Sequence, residues 1–137
     1  MTLISSISAE GMGPSMSIEG PSDTDSFGLY MREILAPALE AGQIVLMDNL
    51  SVHKGKWVRE LIEARGCLLW LLPPYSPDFN PIEEAFSKVK TLLRRAEARV
   101  LERLFEATED ALLAVSAEDA RGYFGHCGYT TSQAHSI

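Results

Sequence analysis

Two short apolar runs constrain the fold of this chain more than any other feature. Residues 43–47 read QIVLM and residues 67–72 read CLLWLL, and a glycine precedes each run. Runs of this length and character are typical of strands that are buried on both faces in a parallel sheet. The segment between them has apolar residues at helical spacing, namely Trp57, Val58, Leu61 and Ile62. The order strand, helix, strand therefore predicts a right-handed parallel crossover with buried strands.

Weaker patterns on either side complete a predicted α/β secondary structure. Residues 2–8 and 15–19 have strand character and flank a turn at residues 10–14, so we expect a hairpin. The helical spacing that follows must end or kink at Pro37, because proline lacks the backbone donor that a helix needs. Three helices are predicted in the second half, over Asn80 to about Ala96, over Leu101 to Leu113, and over Ser116 to Phe124.

Length and composition limit the class of protein. The 137 residues are enough for one domain with a core, residues 1–127, and we expect the small polar residues 128–137 to be a disordered tail. The longest apolar stretch, residues 67–72, is far too short to cross a bilayer, so no membrane partner is expected. Cys67 and Cys127 have neither disulfide-scaffold nor zinc-site spacing, which indicates a reducing, cytoplasmic setting.

The charge distribution has two interpretations. A net charge of −7 argues against nucleic-acid binding through bulk electrostatics. Six of the twelve basic residues nevertheless lie close together, namely Lys88, Lys90, Arg94, Arg95, Arg99 and Arg103. Balanced by Glu97 and Glu102, they form a solvated helix face on the simpler interpretation. On the functional interpretation they touch a phosphate backbone, with Lys88 and Lys90 as the candidate contacts.

Two acidic residues are candidates for a functional site, and each also has a structural interpretation. Asp48 ends the first apolar run, at the strand edge where α/β proteins place their sites, but it could instead cap the following loop. Glu83 is the third residue of a helix that begins with Asn80 and Pro81, which is a capping-box arrangement. Glu84 would be equally favourable near the positive end of the helix dipole. Periodicity therefore does not choose between the two glutamates.

Together, Asp48 and Glu83 fit metal-dependent phosphodiester cleavage. Mg²⁺ takes oxygen ligands, usually one or two carboxylates together with waters and phosphate oxygens. Cleavage by two metals needs carboxylates from separate elements around ions that lie about 3.5–4 Å apart. A strand-end aspartate and a helix glutamate can supply them if the helix packs over the strand ends, and a third carboxylate is expected. His53 could orient phosphate or a metal-bound water, and is otherwise a polar loop residue.

Two stretches of the sequence resemble a known family. Residues 48–66, DNLSVHKGKWVRELIEARG, and residues 72–90, LPPYSPDFNPIEEAFSKVK, are similar to the C-terminal half of the DDE catalytic domain of mariner-superfamily transposases, in the bacterial insertion-sequence branch. The resemblance implies a ribonuclease-H-like fold in which Asp48 is the second catalytic acid and Glu83 the third. It also implies two Mg²⁺ or Mn²⁺ ions, cleavage and joining of transposon-end DNA, and a cytoplasmic, nucleoid-associated location.

The same resemblance implies that the site is incomplete. The first catalytic aspartate belongs to a first, central strand that we expect upstream of Met1, and Asp23 and Asp25 follow the hairpin and cannot replace it. We therefore expect an N-terminally truncated core with two exposed strand edges, poorly stable or completed by an upstream polypeptide. Cleavage and strand transfer would need that partner. The alternatives are an inactive remnant, a regulatory fragment that binds full-length transposase, or another ribonuclease-H-like nuclease.

Overall fold

The structure, a computed structural model, describes residues 2–20, 23–47, 56–72, 80–97, 101–129 and 134–136. Its strands are β1 (Thr2–Ile4), β2 (Ile7–Ser8), β3 (Gly11–Met12), β4 (Met16–Ile18), β5 (Ile44–Met47), β6 (Leu68–Leu71) and β7 (Ala134–Ser136). Its helices are α1 (Thr24–Leu29), which continues as a π-helix (Tyr30–Leu35) and a 3₁₀ turn (Ala36–Ala38), α2 (Lys56–Ala64), α3 (Pro81–Ala96), α4 (Leu101–Leu113) and α5 (Ala117–His126).

The predicted parallel pair forms one half of the main sheet. Strands β5 and β6 run parallel, in a register that places Ile44 opposite Leu68 and Met47 opposite Leu71. The Leu72 backbone N–H extends the pairing beyond β6 by donating to the Met47 carbonyl at 2.7 Å. Helix α2 joins the two strands, so the predicted strand–helix–strand unit is confirmed.

Helices cover both faces of this sheet. Along β5 successive side chains alternate, so that Val45 and Met47 pack with α1 and α2 while Leu46 packs with α3 and α5. Val58 and Ile62 form the buried face of α2 in the first cluster, and Ile82 belongs to the second. The result is a mixed α/β architecture in three layers. Within the described residues, no helix combines the length and apolar character needed to cross a bilayer.

Strand β6 differs from its prediction. The sequence predicts burial on both faces, but Leu68 is 56% exposed and Trp70 is 50% exposed, whereas Leu69 is buried. The reason is that β6 is an edge strand, and α2 covers only the face that carries Leu69. A central and an edge strand can share the same apolar composition, so composition alone does not reveal position in a sheet.

The N-terminal hairpin forms, but it is divided between two sheets. Strands β1 and β4 pair antiparallel in a separate two-stranded sheet, whereas β2 and β3 pair antiparallel at one end of the main sheet. The turn lies at residues 9–10, earlier than the predicted residues 10–14. Gly11 follows it with a φ of +122°, a conformation that side chains with a Cβ rarely adopt.

The first predicted helix ends as expected. Pro37 lies in the 3₁₀ turn, and Leu39 after it is extended with a ψ of 139°. The prolyl ring lacks the amide donor and so stops the helical hydrogen bonding. The predicted bounds of the helices after residue 80 agree with α3, α4 and α5 to within about two residues, as is usual for helix ends.

The C-terminal residues occupy an unexpected place. Where the sequence predicts a disordered tail over residues 128–137, the structure differs at residues 134–136, which form β7 in the middle of the order β3-β2-β7-β5-β6. Strand β7 is antiparallel to β2, with Ile7 opposite Ser136, and parallel to β5, with Leu46 opposite Ser136. The expected exposed edges of β2 and β5 are therefore paired, because β7 supplies backbone partners to both.

Ser136 links this strand to the start of helix α3 through hydrogen bonds. It is 0% exposed, its hydroxyl accepts a hydrogen bond from the Ile82 backbone N–H at 3.3 Å, and it donates to the Asn80 side-chain carbonyl. Ile82 is the second residue of α3, so its N–H is one of the helix-terminal donors that lack an intrahelical acceptor. Ser136 thus caps a helix that begins 55 residues earlier in the chain, at Pro81.

Replacing Ser136 by alanine should lower the free energy of unfolding by about 1–2 kcal/mol, because the buried Ile82 N–H and the buried Asn80 amide each lose a hydrogen bond. Urea denaturation followed by circular dichroism measures this change. Ser87→Ala, an exposed serine on α3, is the matched control and should stay within about 0.5 kcal/mol of the wild type. Equal stabilities of the two variants would contradict the capping role of Ser136.

Candidate functional site

Helix α3 begins differently from the predicted capping box. Asn80 is the N-cap residue and Pro81 the first helical residue, as predicted, but the Asn80 side chain makes no capping hydrogen bond. That side chain is buried and accepts from Ser136 instead. The Glu83 backbone N–H donates to the Asn80 backbone carbonyl at 3.1 Å. The predicted capping box is therefore wrong, and the Glu83 carboxylate is not used to cap the helix.

The two neighbouring glutamates have different surroundings, which periodicity did not distinguish. Glu83 is exposed, and within the described residues it has no hydrogen-bond or ion-pair partner. The Glu84 carboxylate lies 3.2 Å from Nδ1 of His126 on α5, and its side chain is only 36% exposed. Among the described residues, therefore, Glu84 has a partner on α5 and the Glu83 carboxylate has none.

The first turn of α3 lies beside the carboxyl end of β5. Ser136 is opposite Leu46 in the sheet and accepts from the Ile82 N–H, so it connects the two elements directly. Leu46 and Ile82 are also members of one buried cluster. Asp48 follows the last residue of β5 by one position, whereas Asp48 and His53 themselves lie outside the described residues. The structure thus places Glu83 on the turn that packs against the strand leading to Asp48.

An exposed stripe on α3 carries Glu83 and two cations. Lys90 and Arg94 follow Glu83 by seven and eleven positions, which at 3.6 residues per turn puts all three on one side of the helix. A rise of 1.5 Å per residue places them about 10 and 16 Å along the axis from Glu83. Both cations are exposed and, among the residues described, neither has an ion-pair partner. We call Glu83, Lys90 and Arg94 the α3 stripe.

Lys88 has a structural partner instead. Its ammonium lies 2.6 Å from the Asp119 carboxylate on α5, and both side chains are about one-third exposed. The hydrogen bond from Lys88 lowers the pKa of Asp119, with a further contribution from the Ser116 backbone N–H. The same bond raises the pKa of Lys88. The predicted contact of Lys88 with nucleic acid remains a prediction, and it would have to compete with this ion pair.

An open groove separates α3 from α5. It has a volume of about 470 Å³, and its walls include Glu84, Lys88, Arg95 and Tyr123. Two of its charged residues already have partners on α5: Glu84 lies beside His126, and Lys88 forms an ion pair with Asp119. The charged residues of the groove therefore serve first to hold α3 against α5. In the described structure, the charged residues of the α3 stripe have no such pairs.

The other acidic residues considered in the sequence have structural partners or lie elsewhere. Asp23 is the N-cap of α1 and accepts from the Ser26 backbone N–H at 2.7 Å, a bond that lowers the pKa of its carboxyl group. Asp25 lies in the first turn of the same helix. Across the described ranges, no three His, Cys, Asp or Glu side chains group together as a metal site would require.

Comparison with known proteins identifies the class. Residues 1–104 match the family of DDE superfamily endonucleases, and these 104 residues are most of the 137 in the chain. The chain therefore belongs to the DDE superfamily endonucleases. The matched range includes Asp48, Glu83, Lys88 and Lys90, whereas α5 and β7 lie beyond it. A comparison with curated proteins finds no match.

The ion pair between α3 and α5 makes stability depend on pH. Lys88→Met should lower the melting temperature at neutral pH, because the variant lacks the ion pair. The difference from wild type should disappear as the pH falls from the ordinary Asp pKa of 3.8 through the lowered pKa of Asp119, because protonation of Asp119 then breaks the pair in the wild type as well. It should also disappear as the pH rises beyond 10.5, the ordinary lysine value, through the raised pKa of Lys88. Calorimetry across this range measures both limits.

Lys90→Met is the control for that experiment, because Lys90 is exposed on the same helix without an ion-pair partner in the described structure. Its melting temperature should follow the wild type at every pH. A Lys88→Met variant that behaves like Lys90→Met at neutral pH would show that the ion pair contributes nothing measurable.

Proposed function

We propose that this chain forms part of the catalytic core of a transposase from the mariner branch found in bacterial insertion sequences, with Asp48 and Glu83 as metal ligands in DNA strand cleavage and strand transfer. Membership of the DDE superfamily endonucleases supports a transposition-related nuclease acting on DNA. The observation that carries the proposal is the position of Glu83. It is exposed, has no partner among the described residues, and lies on a helix turn that Ser136 joins to the end of β5.

A ribonuclease-H-like arrangement is part of the proposal, and the strand order supports it. A ribonuclease-H-like sheet has the strand order 3-2-1-4-5, with the first strand in the centre. This order corresponds to β3-β2-β7-β5-β6 if β7 stands in the place of the first strand. The directions also agree with that fold, since β7 is antiparallel to β2 and parallel to β5.

The donor set fits a hard divalent cation, Mg²⁺ or Mn²⁺, and two ions are proposed. Carboxylate oxygens are the ligands that these cations prefer, and no described side chain competes for the Glu83 carboxylate. When bound, two such ions activate the attacking oxygen and stabilise the leaving oxygen of the phosphodiester. Asp48 and Glu83 are two carboxylates, and we propose that a third comes from an upstream polypeptide. His53 would orient phosphate.

The DNA backbone would run along the α3 stripe. Lys90 and Arg94 would hold phosphates while Glu83 at the head of the stripe faces the scissile position. Because the net charge of −7 opposes binding elsewhere, the affinity should come from few contacts and should depend on local cations. Lys88 can join only if its pair with Asp119 opens.

One observation favours the alternative function, a regulatory fragment that binds full-length transposase. Strand β7 lies between β2 and β5, so the described sheet is continuous across the central position that a catalytic first strand would take. The two functions differ in whether the chain, when supplied with an upstream polypeptide, restores cleavage or suppresses it.

Strand cleavage should be absent with this chain and Mg²⁺ alone and should appear when the upstream polypeptide is added. In that mixture Asp48→Ala and Glu83→Gln should each reduce cleavage by more than about a hundredfold, since even supporting residues of metal sites cost 10–100-fold. Calorimetric titration with Mn²⁺ should show weakened binding in the same variants. Glu84→Gln is the matched control and should retain both properties. Greater loss in Glu84→Gln than in Glu83→Gln would refute the assignment of Glu83.

Lys90→Ala and Arg94→Ala should each weaken DNA binding to a similar extent for all sequences. Each should also reduce the slope of log affinity against log salt concentration by about 0.9, the value for one phosphate contact. Lys56→Ala is the control, because this exposed lysine is on α2 and so belongs to the opposite face of the sheet. Unchanged slopes in both stripe variants would place the DNA elsewhere.

A further inference from the structure

Strand β6 has an open edge that is apolar and uncharged. It lies at one end of the order β3-β2-β7-β5-β6, so within the described residues it has a strand neighbour on one side only. The strand reads LLWL, with no proline and none of the charged side chains that usually protect an edge strand from pairing. Leu68 is 56% exposed and Trp70 is 50% exposed, on the face that α2 does not cover. This edge is therefore suited to pair with another strand.

The backbone of β6 presents hydrogen-bonding groups to this edge. The N–H groups of Leu68 and Leu72 donate to carbonyls on the β5 side. Because alternate residues of a strand bond to the same neighbour, the backbone groups of Leu69 and Leu71 point the other way. The Leu69 carbonyl accepts from the Arg59 guanidinium at 3.3 Å, whereas the N–H groups of Leu69 and Leu71 have no acceptor among the described residues. The edge therefore offers donors to an added strand.

The charges beside this edge are balanced and change sign along α2. Arg59 reaches the edge, since it donates to the Leu69 carbonyl, and Glu63 lies 3.7 Å from the Arg59 guanidinium, about one turn further along the helix. About half of each of these two charged side chains is exposed. Lys56 and Glu60 are the other charged residues of α2, so the helix has no net charge although the chain carries −7. A second α2 lying antiparallel beside the first would place each Arg59 near the Glu63 of the other.

We propose that the open edge of β6 is a homodimer interface, at which β6 pairs antiparallel with β6 of a second copy of this chain about a twofold axis. The register that places the two Leu69 residues opposite each other also places Leu68 of each copy opposite Trp70 of the other. This register pairs the exposed apolar side chains on one face of the joined sheet. Beside the other face, Arg59 leaves the Leu69 carbonyl for the Glu63 carboxylate of the second copy, and the carbonyl then accepts from a strand N–H.

Symmetry favours a second copy over an unrelated strand. In a twofold contact the same patch meets itself, so its charges must be complementary to their own arrangement. Arg59 and Glu63 meet this condition, because an antiparallel pair of α2 helices brings opposite charges together and a parallel pair would bring like charges together. An unrelated strand could use the backbone donors of β6, but it would leave this charge pattern unmatched. The inference goes beyond nuclease activity and does not depend on it.

Sedimentation velocity of the full chain should show a dimer at high protein concentration that dissociates on dilution. Trp70→Lys should raise the dimer dissociation constant more than about tenfold, because an apolar interface residue becomes a charge. Leu113→Lys is the matched control and should leave the dissociation constant unchanged, because Leu113 is 78% exposed but lies on α4. Amide hydrogen exchange at Leu69 and Leu71 should slow with rising concentration in the wild type and should not slow in Trp70→Lys.

Charge reversal tests the antiparallel arrangement of the two helices. Arg59→Glu and Glu63→Arg should each weaken the dimer about tenfold, because like charges then meet across the axis. An equimolar mixture of the two variants should restore the dimer, since one copy then carries two glutamates at these positions and the other carries two arginines. Mixing changes only the contacts between copies, so the restoration would not come from the ion pair within one helix.

A wild type that remains monomeric at every concentration would overturn the proposal. A dimer that Leu113→Lys weakens as much as Trp70→Lys would also overturn it, as would growth into larger assemblies, because a twofold edge pair is closed. If Trp70→Lys does not fold, the charge-reversal mixture decides: restoration supports the interface, and no restoration counts against it. None of these measurements involves DNA, so failure here leaves the proposed nuclease function to its own tests.

Discussion

Backbone groups in the middle of a sheet need hydrogen-bond partners on both sides, and in this protein three residues at the end of the chain supply them. Without β7, the strands from the N-terminal hairpin and the β5–β6 pair would each present an unpaired edge. With β7 in place they form one five-stranded sheet, with helices on both of its faces. The continuity of the sheet therefore depends on a segment, Ala-His-Ser, that contains no β-branched or aromatic strand former.

The same strand links the sheet to the candidate site. A helix needs acceptors for its first N–H groups, and the usual source is the N-cap side chain. Here Ser136 takes over that role and holds the Asn80 side chain at the same time. The Glu83 carboxylate makes no capping bond among the described residues, although its spacing from Asn80 is that of a capping box. A contact distant in sequence thus takes the place of the N-cap side chain.

Charged residues on α3 fall into two groups with different physical roles. Glu84 and Lys88 pair with His126 and Asp119 and connect α3 to α5. Being partly exposed, these pairs contribute more to helix orientation than to overall stability. The carboxylate and the two cations of the α3 stripe have no ion-pair partner in the part of the chain that the structure describes. The proposed phosphate contacts use these two cations, although the net charge of the chain is −7.

Much of the fold could be predicted from the pattern of apolar residues and prolines in the sequence. The parallel pair β5 and β6 and the helix between them were predicted by two apolar runs and a 3.6-residue spacing, and proline predicted the end of the first helix. These predictions succeeded because they depend on interactions within a few residues of one another. The DDE superfamily assignment also rests on the sequence alone, through residues 1–104. Both acids of the candidate site lie in that range, but the role of Asp48 and Glu83 as metal ligands remains a prediction.

Other features depend on contacts between residues that are distant in the sequence. Residues 134–136 carry no apolar pattern, so a disordered tail was the reasonable expectation; the unpaired edges of β2 and β5 make them a strand. The exposure of Trp70 depends on β6 being at the edge of the sheet, which its composition does not encode. The pairing of Glu84 depends on where α5 places His126. The sequence by itself determined the secondary-structure elements and the family, because these arise from local periodicity and motifs. The tertiary structure decided which strand edges are paired, which side chain caps α3 and which glutamate of α3 pairs with α5. Each of these depends on a partner far away in the chain.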